Sequence, residues 1–197
     1  MPAQQRFTIR YTILPSSLGA VLVARSVATG GLSAVLLDDD RAVLVAELRR
    51  RFPGMSVEAA DGDGTLQELA SKVVALVESP ADPECAVDAP LDARGTEFQQ
   101  LVWSALRGIP AGTTVTYAEL ARRVGRPGAV RAVASACAAN PLAIVVPCHR
   151  AVRSDGGLAG YRWGVERKRT LLAREATAGE PRASRPEVTT ASPLGAA

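Results

Sequence analysis

Aromatic, histidine and cysteine residues are all scarce in this 197-residue sequence. Aromatic side chains make up only 4% of it, so alanine, valine and leucine must fill most of the core. The sequence has three cysteines, Cys85, Cys137 and Cys148. A small, odd number of cysteines argues against a disulfide framework and indicates a reducing compartment. One histidine and three scattered cysteines supply no metal-ligand set of the usual spacing, so we predict neither a metal nor a cofactor.

Long apolar runs are missing as well. The first ten residues contain no segment of signal-peptide type, because glutamines and an arginine interrupt them. The longest apolar runs, such as residues 20–24 and 143–146, are far too short to span a bilayer. These features predict a soluble, cytoplasmic protein that has no membrane partner. We also expect it to be a monomer.

Charge is unevenly distributed along the chain, although the net charge is only +3. Residues 1–119 carry a net charge of −5, and residues 120–197 carry +8. Residues 120–154 contain no carboxylate and six arginines, at positions 122, 123, 126, 131, 150 and 153. Such a segment is typical of a surface that binds a polyanion, although a solvated basic face would have the same composition.

The first part of the chain has the pattern of a small α/β domain with a three-stranded sheet. The predicted strands occupy residues 7–13, 20–26 and 32–37. Helices are predicted over 41–51, after three aspartates that can cap it, and over 65–77, from apolar residues at helical spacing. No residue here suggests chemistry, so we predict a scaffold domain over residues 1–88 that is joined to the rest by a proline-rich linker.

The second part, residues 92–176, is predicted to be mainly helical and to contain a helix-turn-helix. A predicted capping box begins its first helix at Thr116, and the second helix covers residues 129–139. That second helix consists almost entirely of small residues and has one long donor, Arg131. A slim helix suits the minor groove of DNA, although close packing inside the core would also explain it. Residues 177–197 lack periodicity and are predicted to be a disordered tail.

The one histidine of the sequence directly follows a cysteine, at Cys148 and His149. A cysteine nucleophile reacts as its thiolate, and a nearby base can activate it. Adjacent side chains of an extended chain point in opposite directions, so these two can cooperate only in a turn or through a bridging water. A carboxylate such as that of Glu175 would orient the imidazole, although spacing alone does not select it. A cysteine hydrolase would use the same pair, but it needs an oxyanion hole and leaves the basic segment unexplained.

Residues 146–150, Val-Pro-Cys-His-Arg, resemble the active-site signature of the O6-alkylguanine-DNA alkyltransferases. The similarity runs from about Gly95 to Glu175, and within the family it is greatest to the C-terminal repair domain of the bacterial Ada proteins. Residues 6–52 resemble the N-terminal half of that domain more loosely. Further similar motifs are residues 113–117 (Thr-Thr-Val-Thr-Tyr), 129–134 (Ala-Val-Arg-Ala-Val-Ala), Asn140 and 160–164 (Gly-Tyr-Arg-Trp-Gly). The resemblance implies a ribonuclease H-like fold for the N-terminal domain, and it does not extend to the zinc-bearing and activator segments of Ada.

The resemblance also implies roles for residues around the thiol. Cys148 would accept the alkyl group, His149 would deprotonate it through a water, and Glu175 would hold the imidazole. Asn140 would bond to backbone at the hinge between the recognition helix and the active-site segment. The implied contacts to DNA or to the extruded base come from Tyr117, Arg131 and Tyr161, with Arg126 and Ser154 as supporting residues.

The function that the resemblance implies is repair of DNA by direct damage reversal, as a methylated-DNA–[protein]-cysteine S-methyltransferase. Arg131 would replace an extruded guanine from the minor groove, and Tyr117 and Tyr161 would donate to that base. Cys148 would then take a methyl or other alkyl group from O6 in a single turnover, with O4 of thymine as an open second substrate. The alternative is a non-enzymatic binder of alkylated DNA that recruits other repair factors; such proteins replace the cysteine, which is present here.

Overall fold

The structure is a computed structural model that describes residues 8–158 and 160–178. Its N-terminal part is a sheet domain with two helices. The elements are β1 (Thr8–Ser16), β2 (Gly19–Ser26), β3 (Leu32–Asp38), α1 (Arg41–Arg51), β4 (Ser56–Ala59) and α2 (Gly64–Glu78). The strand order is β3-β2-β1-β4. The β1–β2 and β2–β3 pairs are antiparallel, and β4 is parallel to β1.

The prediction of a three-stranded sheet is wrong, because β4 adds a fourth strand at the edge. This strand has four residues, and three of them are exposed. A short edge strand with solvent on both sides has no need of alternating apolar residues, so its sequence shows no strand pattern. The other three strands were predictable, since each contains at least four buried residues.

Aspartates begin both helices of the sheet domain. Asp40 accepts a hydrogen bond from the backbone of Ala42 at the start of α1, and Asp63 accepts one from Leu66 at the start of α2. Each side chain satisfies a backbone N–H that the first helical turn leaves unpaired. The predicted helices over 41–51 and 65–77 therefore agree with the structure to within one residue at each end.

The C-terminal part is mainly helical. Its elements are α3 (Glu97–Arg107), β5 (Val115–Thr116), α4 (Tyr117–Arg123), α5 (Val130–Ala139), β6 (Ala151–Val152) and α6 (Val165–Ala178). Strands β5 and β6 form a short parallel pair. Helix α6 ends at Ala178, so the predicted tail begins too early by two residues, and the rest of it, 179–197, lies outside the described residues. No described helix is both long enough and apolar enough to cross a membrane.

Half of the capping box predicted at α4 is formed. The Thr116 hydroxyl accepts from the backbone N–H of Glu119 at 3.0 Å. The Glu119 carboxylate turns along the helix instead, where it binds Arg122 at 2.9 Å and Arg123 at 3.2 Å. Two guanidinium groups within helical reach compete for the carboxylate, and a charge-assisted bond is stronger than one to a neutral amide.

The segment that leads to Cys148 is attached to the edge of the N-terminal sheet. The Val35 N–H of β3 donates to the Pro141 carbonyl at 2.8 Å, and the Ala143 N–H donates to the Val35 carbonyl at 3.0 Å. Ile144 then takes a φ of 71°, which is strained for a β-branched residue. The sheet edge thus holds one end of a tight, strained loop, and the other end delivers the cysteine.

Candidate active site

Cys148 and His149 lie in a 3-10 turn, Cys148–Arg150, directly after the strained loop. Successive side chains in such a turn diverge by about 120° rather than the 180° of a strand, which removes the main obstacle to cooperation between neighbours. Cys148 is 6% exposed and His149 is fully buried. The turn therefore presents a thiol at the edge of the core, with the imidazole behind it.

Asn140 contacts the sulfur directly and also holds the loop. Its Nδ2 donates to the Val146 carbonyl at 2.8 Å and to Cys148 Sγ at 3.1 Å. Its Oδ1 accepts from the Leu142 N–H at 3.0 Å. Asn140 is the residue that ends α5, so one buried amide joins the end of that helix, the strained loop and the thiol.

The partner of the histidine is Glu175 on α6. Its Oε1 lies 2.8 Å from His149 Nε2, and both side chains are fully buried. Arg150 binds the same carboxylate, with its Nη2 at 2.8 Å from Oε1, and the Gly112 N–H donates to Oε2 at 3.1 Å. Burial alone would raise the pKa of Glu175, but the hydrogen bonds from His149 and Arg150 lower it to about 2. The carboxylate is therefore ionised.

The ionised Glu175 defines the tautomer of the imidazole. A carboxylate only accepts hydrogen bonds, so the proton of neutral His149 sits on Nε2 and Nδ1 carries a lone pair. Nδ1 is buried and has no hydrogen-bond partner among the described residues. Burial lowers the pKa of His149 more than Glu175 raises it, so the ring is neutral at pH 7. Nδ1 of this neutral imidazole can therefore accept a proton.

The thiol itself is held in its protonated form at rest. Burial raises the pKa of Cys148, and the Asn140 hydrogen bond and the charge of Lys168 oppose that effect only in part. A buried thiol with a raised pKa needs a base and a nearby cation to become a nucleophile. His149 and Lys168 supply both.

Lys168 belongs to this site, and the sequence analysis missed it. The residue is fully buried on α6, and its Nζ donates to the Ala151 carbonyl at 2.5 Å. Burial lowers its pKa, and the sulfurs of Cys148 and Cys137 oppose that effect. A signal was present, because Lys168 stands three residues before buried Leu171 and seven before Glu175, on the inward stripe of the helix.

Tyr161 brings an unpartnered hydroxyl to the thiol. Its Oη is buried without a hydrogen-bond partner among the described residues, and burial followed by the Cys148 sulfur raises its pKa well above the ordinary value. The loop that carries it is anchored on α1, where Arg162 binds Glu47 at 2.5 Å. The Trp163 ring lies under the guanidinium groups of Arg51 and Arg162, at 5.8 and 5.6 Å. A rigidly held, unsatisfied donor is therefore available to a ligand.

Tyr117 is the first residue of α4 and is half-buried. Burial, with the sulfurs of Cys137 and Cys148 next in effect, raises its pKa to about 12. Its hydroxyl therefore stays protonated and can donate a hydrogen bond at neutral pH. The structure thus brings Tyr117 into the neighbourhood of the thiol, as it does Tyr161.

The outer face of α5 is exposed and built from small residues. Val133, Ala136 and Cys137 are buried, and Trp103 Nε1 donates to the Ala136 carbonyl at 2.8 Å, which fixes the inner face. The opposite face is exposed at Arg131, Ala132, Ser135 and Ala138. The sequence left two explanations for the small residues of α5, close packing in the core and a slim outer surface. Both hold, on opposite faces of the helix.

The remaining predicted contacts lie on the surface, apart from the thiol. Arg131, Arg126 and Ser154 are exposed, and the structure does not bring them to Cys148. The sequence analysis placed Arg150 on the predicted basic surface, and that prediction is wrong. Its side chain is 11% exposed and points inward to Glu175 and to the Ile109 carbonyl, because the buried carboxylate requires a cation.

No cluster of three or more histidine, cysteine, aspartate or glutamate side chains able to hold a metal occurs in residues 8–158 and 160–178. The chemistry available to the site is that of a thiol, a histidine–glutamate base, a buried cation and a phenol. The sheet domain, the helical part and this buried array define a class of protein in which a buried thiol is bound by the residue that ends a helix of small residues and lies next in sequence to a histidine–glutamate pair.

Comparison with known proteins identifies the family. A family model described as "6-O-methylguanine DNA methyltransferase, DNA binding domain" matches residues 97–177. The chain is 51% identical over 172 residues to the "Bifunctional transcriptional activator/DNA repair enzyme Ada" of Escherichia coli, covering 87% of this chain and 47% of that protein. It is 56% identical over 88 residues to a "Methylated-DNA--protein-cysteine methyltransferase" of Mycolicibacterium paratuberculosis, covering 45% of this chain and 53% of that protein.

A crystal structure of Mycobacterium tuberculosis OGT in complex with DNA superimposes with a TM-score of 0.67 at 32% identity, covering 86% of this chain and 93% of that one. The chain spans about half the length of the curated relatives it matches, at 47% and 53%. It belongs to the 6-O-methylguanine DNA methyltransferase family.

Proposed function

We propose that the protein repairs DNA by taking an alkyl group from O6 of guanine onto Cys148 Sγ, in a single turnover. The observation that carries the proposal is the buried thiol bonded by Asn140 beside an imidazole whose Nε2 is bound by Glu175 and whose Nδ1 is free. The names of the relatives, which include a DNA repair enzyme and a methylated-DNA–protein-cysteine methyltransferase, support it.

The first step is removal of the thiol proton. His149 Nδ1 takes it, directly or through one water, and the ionised Glu175 stabilises the imidazolium that forms. Lys168 and the Asn140 amide stabilise the thiolate that remains. The thiolate thus exists only next to its imidazolium, which limits side reactions of the sulfur.

The second step is a displacement at the alkyl carbon. A sulfur lone pair forms the S–C bond, the C–O6 bond breaks, and its electron pair passes to the purine. Tyr161 Oη, which lacks a partner in the described structure, donates a hydrogen bond to that developing charge. The released guanine then takes up one proton and the His149 imidazolium gives up the proton it took from the thiol, so that the thiol proton passes in effect to the guanine. The product is a thioether that water does not cleave, so each molecule acts once.

DNA engagement uses the exposed face of α5. In this proposal α4 and α5 form a helix-turn-helix, and α5 enters the minor groove with its small residues while Arg131 takes the place of the extruded base. Arg126, Ser154 and Tyr117 contact DNA nearby. The N-terminal domain, residues 1–88, is ribonuclease H-like and joins the DNA-binding domain of residues 92–176. We place the protein in the cytoplasm, where its three cysteines stay reduced.

Intact-mass analysis tests the proposed reaction against its alternatives. Incubation with duplex DNA that contains O6-methylguanine should add one methyl group to the peptide with Cys148 and leave guanine in the DNA. A non-enzymatic binder would leave the protein mass and the lesion unchanged. A cysteine hydrolase would process many substrate molecules and return with its original mass, which would also overturn the proposal.

Substitution of Tyr161 separates activity from stability. Tyr161→Phe removes a hydroxyl that is buried without a partner, so the free energy of unfolding should stay the same or rise. The acceptor rate should fall by roughly 100-fold, because the leaving purine loses a donor. Urea denaturation and single-turnover kinetics measure the two quantities. An unchanged rate would remove Tyr161 from the mechanism.

Substitution of Arg131 separates DNA engagement from chemistry. Arg131→Ala should slow repair of duplex DNA by at least about tenfold and leave reaction with free O6-benzylguanine unchanged, because only the duplex requires a residue in place of the extruded base. Arg169→Ala, on the exposed side of α6, is the matched control and should leave both rates unchanged. Equal losses on both substrates would contradict a role for Arg131 in base extrusion.

A further inference from the structure

Helix α6 carries two pairs of basic or acidic residues, each separated by seven positions. Arg167 and Arg174 form one pair, and Lys168 and Glu175 form the other. Seven residues span about two turns and about 10 Å of helix, so each pair lies along one line of the surface. The lines are adjacent, because each residue of the second pair directly follows one of the first.

The arginine line binds the N-terminal sheet domain. Arg167 Nε donates to the Leu18 carbonyl at 2.6 Å, and its Nη2 donates to Asp39 at 2.7 Å. Arg174 Nη1 donates to the Val77 carbonyl at 2.6 Å, and its Nη2 donates to the Ser17 hydroxyl at 2.5 Å. Both guanidinium groups thus hold the turn between β1 and β2 and the ends of the elements beside it.

The turn is shaped to receive these arginines. Gly19 has a φ of 99°, and a Cβ there would lie 2.5 Å from Asp39 Oδ1 and 2.9 Å from Arg167 Nη2. Glu78 contacts the same turn. Its carboxylate accepts hydrogen bonds from the backbone N–H and the hydroxyl of Ser17, and its Oε2 lies 3.5 Å from Arg174 Nη1. The positive φ favours glycine at this turn, and Asp39 and Glu78 beside it supply carboxylates to the two arginines.

The other line of α6 reaches the thiol site. Lys168 donates to the Ala151 carbonyl next to the turn that holds Cys148, and Glu175 binds His149. A shift of α6 along its axis would move both groups relative to the sulfur. An error of about 1 Å in such a position can cost about 100-fold in rate.

We propose that Arg167 and Arg174 are positioning residues through which the β1–β2 turn of the N-terminal domain sets the location of Lys168 and Glu175 at the acceptor thiol. The proposal rests on the proposed function for its kinetic readout but not for its structural one. It assigns a part in the reactivity of the site to the N-terminal domain, to which none of the site residues described above belongs.

His149 is the one histidine of the sequence, so it is an isolated reporter. In protein labelled with ¹⁵N-histidine, Arg167→Met and Arg174→Met should each shift or broaden the imidazole nitrogen signals. Each should also slow reaction with free O6-benzylguanine by about 10- to 100-fold and move its pH–rate profile. Arg169→Met is the matched control, because Arg169 binds Glu166 of its own helix, and it should behave as the wild type.

Arg174→Lys is a milder variant that keeps the charge but cannot span both Val77 and Ser17, and it decides the question if Arg174→Met does not fold. Its signals and rate should fall between those of the wild type and those expected for Arg174→Met. A lower melting temperature with imidazole signals and pH–rate profile equal to those of the control would overturn the proposal. If the wild type failed to take the methyl group from O6-methylguanine in duplex DNA, the proposed function would fail, while the imidazole signals would still test the positioning.

Discussion

Cys148→Ala is expected to abolish alkyl acceptance completely and to leave binding of alkylated duplex DNA intact. In the proposed reaction the sulfur forms the new bond, whereas Tyr161 stays protonated because burial raises its pKa, and His149 Nε2 is bound to Glu175. The residues proposed to engage DNA lie on the exposed face of α5 and are untouched by the change. Intact mass and a gel-shift assay with O6-methylguanine duplex measure the two properties.

Two other free cysteines provide matched controls for this experiment. Cys137 is buried on α5 and Cys85 is half-buried in the linker region. Cys137→Ala and Cys85→Ala should both retain transfer of one methyl group per molecule, because neither thiol has the Asn140 contact. Removal of the methyl group from DNA by Cys148→Ala would contradict the acceptor assignment.

Glu175→Gln is expected to have the second largest effect, on both rate and stability. The acceptor rate should fall by roughly 100-fold or more, since neutral glutamine no longer stabilises the imidazolium. Stability should fall too, because Arg150 is left as a largely buried cation without its counter-charge. The lowered pKa of Glu175, from 4.5 to about 2, corresponds to about 3 kcal/mol of stability at neutral pH.

The sign of this contribution predicts its pH dependence. The folded-state pKa of Glu175 lies below the unfolded value, so the stabilisation is fully present above about pH 4.5 and is lost as the pH falls towards 2. The free energies of unfolding of wild type and Glu175→Gln should therefore differ most at pH 7 and converge in acid, as measured by urea denaturation. Glu166→Gln, an exposed change on the same helix, should follow the wild type throughout. Parallel pH curves for wild type and Glu175→Gln would show that the charge does not contribute.

Most of the secondary structure could be predicted from local sequence patterns. The helices over 41–51 and 65–77 were predictable because aspartate caps and apolar periodicity reside in neighbouring residues. The edge strand Ser56–Ala59 was not, because its pairing with β1 joins segments more than forty residues apart and buries little side-chain surface. Glu119 differs for a local reason, because the arginines three and four residues later compete with the backbone amide for its carboxylate.

The sequence by itself singled out Cys148 as the candidate nucleophile, since this cysteine stands beside the one histidine within a motif that resembles that of the alkyltransferases. It also determined the basic bias of the second part and the slim composition of α5. Only the tertiary structure decided that Glu175 partners the histidine, that Asn140 touches the sulfur, and that buried Lys168 joins them. It likewise turned Arg150 inward. The physical reason is that hydrogen-bond partners for buried charges are chosen by packing across distant segments, whereas spacing along the chain records only which face of an element is buried.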